Sequence, residues 1–387
     1  CTTGVLLRRL QVDRELASVS HVFVDEFHER GWQVDLLLAL LKRRRPKDVI
    51  VMSATMDADP LVRFLKGTHI EAQGRRFPVT VRYEGMERSG PTRDGLSDRV
   101  SRVLSESTTP GDILVFLPGK AEIRQVTQGL NRQTCGRFEV LPLHSSLTVA
   151  EQRAVFMPSK KQKLILSTNI AETSLTLAGV TLVIDSGLVR TSQYFQGRGF
   201  LGLIPIAQDA ADQRMGRAGR VQAGECIRLW SGLAKLAAET EAEIVREGLT
   251  PLVLAILECG ERPDGMQFLT PPKPYAVDAA VVDLIALGAV DSSSNLTRIG
   301  RELARMPMDP HLGRLMVQSK ANECASIMVV LVSILSLQRP VYVDSETHPA
   351  DSVRFAGCDV WRVLCAYYRL DDSLILSGGD RTRIERA

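Results

Sequence analysis

The chain has 387 residues, 44% hydrophobic and 24% charged, with 29 Gly and 18 Pro. That mixture excludes collagen-like, mostly disordered and membrane-dominated chains, and at about 150 residues per domain it predicts two or three domains. With 48 Lys and Arg against 45 Asp and Glu, the formal charge of +3 permits a nucleic-acid partner without arguing for one. Seven cysteines, at 1, 135, 226, 259, 324, 358 and 365, are too scattered for a zinc module and too few for a disulfide scaffold, and they read as reduced thiols. No apolar run reaches the roughly 18 residues of a membrane span and nothing at the start resembles a signal peptide. The expected setting is cytoplasmic or nuclear, with no membrane partner. Cys1 in place of a starting Met suggests a fragment.

In chain order, residues 21–25 read as an apolar strand, 32–41 as a helix with a strong apolar face, and 48–52 as another strand. A polar, turn-rich interval over 84–111 then breaks the pattern. Strands are predicted again at 112–116, 138–141, 163–167, 180–185 and 225–230, with helical or loop segments at 119–130 and 148–156. Short apolar runs alternating with helical patterns predict a second α/β domain on a covered parallel sheet. Residues 234–257 and 277–287 read as helical and 291–295 as a small turn. Residues 303–337 read as helical with interruptions near Pro307 and Pro310, and 378–387 as a ragged continuation. The fold class is α/β followed by a mainly helical region.

His21-Val22-Phe23-Val24-Asp25-Glu26-Phe27-His28 puts two adjacent carboxylates at the carboxyl end of an apolar strand, where phosphate and metal ligands collect in α/β sheets. Asp25 suits the water shell of Mg²⁺ and Glu26 suits polarising an attacking water, while His28 can connect the nucleotide state to an opposing domain. An Asp-Glu pair after a strand is equally at home as a solvated helix start. The hydroxyls of Ser53-Ala54-Thr55 suit a hydrogen-bonded relay or a helix N-cap. The polar row from Thr168 to Thr176 suits phosphate or backbone contacts, or routine capping. In Gln213-Arg214-Met215-Gly216-Arg217-Ala218-Gly219-Arg220, Arg217 and Arg220 are spaced to share a helical face or an adjoining turn. Directed into a cleft they would neutralise charge developing on a γ-phosphate, with Gln213 orienting water; the plainer reading is a basic surface turn.

These four motifs, in this order, resemble the DEAH-box branch of the superfamily 2 helicases, and within it the bacterial HrpB-type group with Phe at the third position of the Asp25–His28 motif. Thr2-Thr3-Gly4-Val5-Leu6-Leu7-Arg8 is similar to the family's earlier nucleic-acid-contact motif, with Thr3 where the family carries an acidic residue. The resemblance implies two RecA-like domains, the first incomplete, over 1–77 and 78–232. It further implies a linker and winged-helix domain over 233–299 and a helical ratchet-like region over 300–387. A β-hairpin is implied between 189 and 206, with Gly197, Arg198 and Gly199 at its turn and Tyr194 and Phe195 either stacking on a base or packing the hairpin.

By the same resemblance, Asp25 and Glu26 hold Mg²⁺ and activate water, and His28 lies beside the nucleotide. Gln213, Arg217 and Arg220 complete ATP hydrolysis from the second domain, and Ser53 and Thr55 couple the two domains. Thr2, Gly4 and Arg8 on one side, with His144, Thr168 and Thr173 on the other, track the strand backbone; His144 reads equally as a satisfied loop histidine. The implied partner is single-stranded nucleic acid, RNA before DNA, engaged by a monomer, with a protein regulator or ribonucleoprotein left open. No Gly-x-x-x-x-Gly-Lys-Ser/Thr loop occurs in the sequence, and family order places it before Cys1. The expectation is an ATP-dependent helicase whose intact parent is active while this segment alone is not. Two other readings stand beside it: a nucleic-acid-stimulated NTPase that remodels ribonucleoprotein complexes, and a non-catalytic nucleic-acid-binding module.

Overall fold

Val22 and Val24 turn to one side of an extended run and are buried there, while Phe23 between them is exposed. That alternation makes strand β1, His21–Val24, which pairs in parallel with β2, Asp48–Val51, in the register His21↔Asp48 to Val24↔Val51. The computed structural model describes residues 1–44, 47–54, 57–72, 77–85, 89–130, 136–172, 175, 177, 179–195, 198–337, 343–345, 359–370, 374–376 and 378–387. It divides into one unit of Cys1–Gly248 with Gln267–Pro272 and another of Leu249–Met266 with Lys273–Ala387.

In the first unit, α1 (Thr3–Val12) packs beside α2 (Trp32–Arg44), which connects β1 to β2. The sequence predicts one apolar face for α2, but every residue from Asp35 to Leu41 is buried. A helix apolar all round its middle belongs inside a core, and each fully buried Leu there contributes about 1.5–3 kcal/mol. Helix α3 (Ala58–Leu65) follows β2.

The second sheet has six parallel strands in the order β3-β10-β7-β4-β6-β5. They are β3 (Val79–Tyr83), β4 (Asp112–Phe116), β5 (Phe138–Leu143), β6 (Gln162–Ser167), β7 (Val180–Asp185) and β10 (Gly224–Arg228). Both faces are covered, so β4 and β7 carry the apolar runs Ile113–Phe116 and Leu182–Ile184. Ile113, Val115, Leu182 and Ile184 meet α4 (Leu96–Glu106) and α5 (Lys120–Gly129) on one face; Leu114, Phe116 and Val183 pack with Leu143, Val155 and Leu177 on the other. The chain leaves β4 for the β5 edge, returns through β6, and crosses to β7 on the other side of β4. Strand order therefore reverses around β4, and the loops after β4, β6 and β7 share one carboxyl edge, the usual place for a ligand in such sheets.

The predicted strands at 112–116 and 180–185 form with those limits, and the others shift by a few residues at their ends. Three expectations need correction. The interval 84–111 contains α4, because Leu96, Val100, Val103 and Leu104 make a buried helical stripe among Ser, Asp and Arg. Strand β3, not anticipated, joins the sheet at its edge through β10. Residues 234–257 are not one helix: only Glu243–Arg246 and Thr250–Glu258 are helical, the latter restarting with Pro251 in its first turn. Ahead of both, the backbone serves the helix Gln208–Met215 instead, with Gln208 N–H donating to Ala237 O at 2.8 Å and Asp209 N–H to Ala238 O at 3.2 Å. The hairpin forms as β8 (Leu188–Phe195) and β9 (Arg198–Pro205), in the register Leu188↔Pro205 to Phe195↔Arg198. Gly197 and the side chains of Tyr194 and Phe195 lie outside the described residues.

The second unit is mainly helical, as expected. The interruption expected near Pro307 and Pro310 is present: one helix ends at Arg305, the next, Pro310–Ala321, opens on Pro310 behind an Asp309 cap, and a further helix lies at Ala325–Ser336. Asp291 and Asn295 close the predicted turn at 2.9 Å. The last residues are ordered into a helix, Gly378–Arg386, and β11 (Val343–Ser345) pairs antiparallel with β12 (Leu374–Leu376). Among the described residues no helix is long and apolar enough to cross a membrane.

Gly187, between β7 and β8, has a φ of +70°, and a Cβ there would stand 2.7 Å from both Pro91 Cγ and Trp230 Cε3. Gly187→Ala is expected to cost about 1–3 kcal/mol and lower the calorimetric unfolding midpoint by several degrees. An unchanged midpoint would contradict this packing.

Candidate active site

β1 delivers Asp25 to the carboxyl end of its sheet, and the chain then turns sharply. Glu26 sits at φ 51°, in the left-handed region that a non-glycine residue adopts at a cost. Three hydrogen bonds hold it there: Glu26 N–H donates to Asp25 Oδ1 at 2.8 Å, Phe27 N–H to Met52 O at 3.1 Å, and Met52 N–H to Val24 O at 2.8 Å. Phe27 is fully buried beneath the turn. His28 Nε2 lies 3.4 Å from Glu26 Oε2, and Ala54 N–H points at His28 Nδ1 at 3.5 Å. That pattern places the proton of a neutral ring on Nε2, facing the Glu26 carboxylate. The 53–54 segment is thus tied to the Asp25–His28 corner through His28. Ser53 is exposed beside it, Thr55 lies outside the described residues, and the N-cap role goes to Asp57, whose carboxylate accepts Asp59 N–H at 3.0 Å.

Two residues beyond the motif, Arg30 adopts φ 49° and its guanidinium pairs with Asp35 at 3.0 Å, donates to Thr270 Oγ1 at 2.9 Å, and lies 5.4 Å from the centre of the Phe27 ring. Burial pushes the Asp35 carboxyl up to about 6, against the pull of Arg30.

On the six-stranded sheet, the helix Gln208–Met215 ends and Arg217 to Arg220 continue in consecutive turns, with Arg217 N–H donating to Arg214 O at 3.1 Å and Ala218 N–H to Met215 O at 3.1 Å. Arg217 and Arg220 therefore share no helical face: Arg217 is buried and Arg220 is exposed. Arg217 Nη1 donates to Leu175 O at 2.7 Å and Nη2 to Glu172 O, which fixes the guanidinium against the loop after β6. Burial lowers its pKa to about 10, the like charge of Arg220 adds to this, and Glu172 and Glu26 pull it back. The charge of Glu26 is among those acting on Arg217, so the two motifs lie within electrostatic reach of each other. Gln213 is half-buried in the last helical turn.

Arg214, not singled out from the sequence, is buried in full. It donates to Glu172 Oε2 at 2.9 Å and Asp185 Oδ1 at 2.9 Å, over the Phe116 ring at 4.9 Å. The signal was available: β7 ends in a carboxylate that its apolar run carries inside, and a buried carboxylate requires a cation. Burial raises the Glu172 pKa while the charge of Arg214 lowers it.

The remaining residues form two groups. Thr168 N–H donates to Leu143 O at 3.1 Å, which puts Thr168 beside His144 at the ends of the paired strands β6 and β5. Thr173 lies outside the described residues. Thr2 precedes α1, and Gly4 and Arg8 lie within it, with Thr2 and Arg8 exposed.

Arg214→Met would leave Asp185 and Glu172 buried without their cation, and a loss of about 3–5 kcal/mol is expected in urea unfolding. A loss below about 1 kcal/mol would mean that the pair is not structural. For Asp35, the folded chain binds the proton more tightly than the unfolded one. Its contribution to stability is therefore full below the ordinary value of 3.8 and is lost as pH rises through about 6. Relative to Asp35→Asn, the wild type is expected to lose up to about 1.4 kcal/mol per pH unit across that window. Unfolding curves of the two proteins that keep a constant separation from pH 4 to 6 would contradict it.

Two family models match the chain: the helicase conserved C-terminal domain over residues 96–222 and the winged-helix helicase associated domain (HA2) over residues 280–308. The chain is 37% identical over 359 residues to the ATP-dependent RNA helicase HrpA of Escherichia coli, covering 88% of this chain and 28% of that protein. It is 36% identical to the HrpA homolog of Haemophilus influenzae, covering 88% of this chain and 27% of that protein. Among solved structures, the DEAH/RHA helicase HrpB of Escherichia coli superposes with a TM-score of 0.78 at 32% identity, covering 95% of this chain and 48% of that one. The chain spans less than a third of the length of these curated relatives and about half of the solved one. In its RecA-like sheets, winged-helix domain and helical C-terminal region, the chain is similar to superfamily 2 helicases of the HrpA and HrpB kind.

Proposed function

We propose that the protein is a nucleic-acid-dependent ATPase of the helicase type, in which ATP hydrolysis moves single-stranded nucleic acid, RNA before DNA. The observation that carries this is that Glu26, held in a left-handed turn at the end of β1, lies within electrostatic reach of Arg217, held against the loop after β6. A carboxylate that polarises water and a desolvated guanidinium that meets developing negative charge are the two halves of in-line phosphoryl transfer.

Two adjacent carboxylates suit Mg²⁺, which takes one or two of them and completes its shell with water and phosphate oxygens. Asp25 and Glu26 are the residues that would hold it, where Mg²⁺ would neutralise phosphate charge. Around that point Glu26 orients water, with His28 Nε2 fixing its carboxylate, and Gln213, Arg217 and Arg220 act from the second sheet. Ser53 and Thr55 pass the nucleotide state between the sheets, with Ala54 N–H on His28 as the first link. Thr2, Gly4 and Arg8, with His144, Thr168 and Thr173, follow the strand backbone, so recognition does not depend on base sequence. The working arrangement is a cytoplasmic monomer divided at 77/78, 232/233 and 299/300, with the HrpB-type Phe27 buried under the catalytic turn.

In the full-length protein, Glu26→Gln is expected to cut ATP turnover, with and without single-stranded RNA, by about 10²–10⁴-fold while nucleotide binding is retained. Turnover at the wild-type rate would remove Glu26 from its assigned role. A strand-displacement assay separates unwinding from remodelling without strand separation.

A further inference from the structure

The short helix Glu243–Arg246 holds two distant parts of the first unit at once. Glu243 N–H donates to Arg30 O at 3.0 Å, and the Glu243 carboxylate accepts Trp32 N–H at 2.9 Å, capping the start of α2. A Cβ on Gly31 would stand 3.4 Å from Glu243 Oε2, so the two segments meet closely at this corner. At the other end of the helix, Arg246 Nη1 donates to Thr191 Oγ1 at 2.6 Å and to Ser192 O at 3.0 Å, both on β8. The same guanidinium lies 3.0 Å from Glu247 and 3.7 Å from Glu243, which joins the two ends of the clip through charge.

The corner that Glu243 grips is the strained one. Glu26 and Arg30, at φ 51° and 49°, are both left-handed without being glycine, and such residues persist only where their surroundings over-determine them. Arg30 O and Trp32 N–H, on either side of Gly31, directly follow the second of these, and both are held by Glu243. A displacement of β8 would act on Arg246 and so on Glu243 and the backbone after Arg30, while the Glu26 turn keeps its own hydrogen bonds to Asp25 and Met52.

We propose that Glu243 and Arg246 are positioning residues that carry nucleic-acid engagement at the β8–β9 hairpin to the Glu26 corner, and thereby set how strongly single-stranded RNA stimulates ATP turnover. Neither residue touches reacting atoms. The inference rests on the ATPase and nucleic-acid reading given above, with the exposed Phe200 and Leu201 of β9 as the hairpin surface that meets the bases, and it predicts a change in coupling with intact chemistry.

The test uses the full-length protein, a 20-nucleotide oligouridine, and the variants Arg246→Gln, Glu243→Ala and Glu243→Gln. The ratio of RNA-stimulated to basal turnover is expected to fall at least ~5-fold in Arg246→Gln and Glu243→Ala, with basal turnover and oligouridine affinity within ~2-fold of wild type. Glu243→Gln keeps an oxygen for Trp32 N–H and is expected to recover most of the ratio. The double variant Glu243→Ala with Arg246→Gln should lose no more than the worse single one, because the two act in one chain of contacts. An unchanged ratio, additive losses, or an equal fall in basal and stimulated turnover would overturn the proposal. A second readout is amide hydrogen exchange over residues 26–35 on adding oligouridine, expected to change in the wild type and not in Arg246→Gln. If the wild type hydrolyses no ATP under any condition, the ATPase reading fails by itself. The exchange experiment then decides the clip: a response abolished by Arg246→Gln upholds it, and no response, or the same response in both proteins, overturns it.

Discussion

Arg214 is the cation around which the carboxyl edge of the six-stranded sheet is built. Its guanidinium is buried, lies over Phe116 at the end of β4, and reaches Asp185 at the end of β7 and Glu172 in the loop after β6. Three strands that the topology merely places side by side are thereby fixed to one helix, Gln208–Met215. Buried ion pairs bring little net stability compared with apolar packing, but removing one partner is costly, so this triad acts as a constraint on geometry. Because Arg214 is held, the turns after it start from a fixed point. Arg217 then reaches the carbonyls of Glu172 and Leu175, part of the same loop that Arg214 anchors through the Glu172 side chain.

The sheet was legible because parallel strands covered on both faces write themselves as apolar runs, as in Ile113–Phe116 and Leu182–Ile184. Helix α4 was hidden for the opposite reason: its four core residues are diluted by Ser, Asp and Arg on the solvent side, and the flanking Gly and Pro dominate a local reading. Residues 234–242 mislead in another way. Their Ala-rich composition favours a helix, but their backbone carbonyls are taken by the start of the helix Gln208–Met215, a tertiary demand that no local propensity encodes. At the site, the carboxylate pair and the arginine run were legible as chemistry at a strand end. The residues that hold them, Arg214, Asp35 and Glu243, were not, because each is defined by a partner far away in sequence.

That division has a physical basis. Residues that meet a ligand must sit at loop ends with particular side chains, which leaves a compact motif. Residues that position them are free to come from any element that passes nearby. Asp35 shows this within one turn of chain: it lies in the most buried stretch of α2, where a carboxylate is costly, and it is retained beside Arg30, which covers Phe27 and reaches Thr270. The left-handed turn at Glu26 is held from several sides in this way, from β2 through Met52, from the 53–54 segment through His28, and from Arg30.

The two arginines after Arg214 then divide their work by burial. Arg217 is desolvated and tied to two carbonyls, so its charge is pre-oriented and acts in a medium of low polarity, where it counts for more than at the surface. A pKa of about 10 leaves it charged at neutral pH, and the nearby Glu26 favours that state. Arg220 is exposed, so its charge is screened by water. A group held in place suits charge that develops at a fixed point, whereas an exposed one suits a phosphate that arrives and leaves. The like charges also oppose one another across three residues, which adds to the cost of holding Arg217 buried and charged.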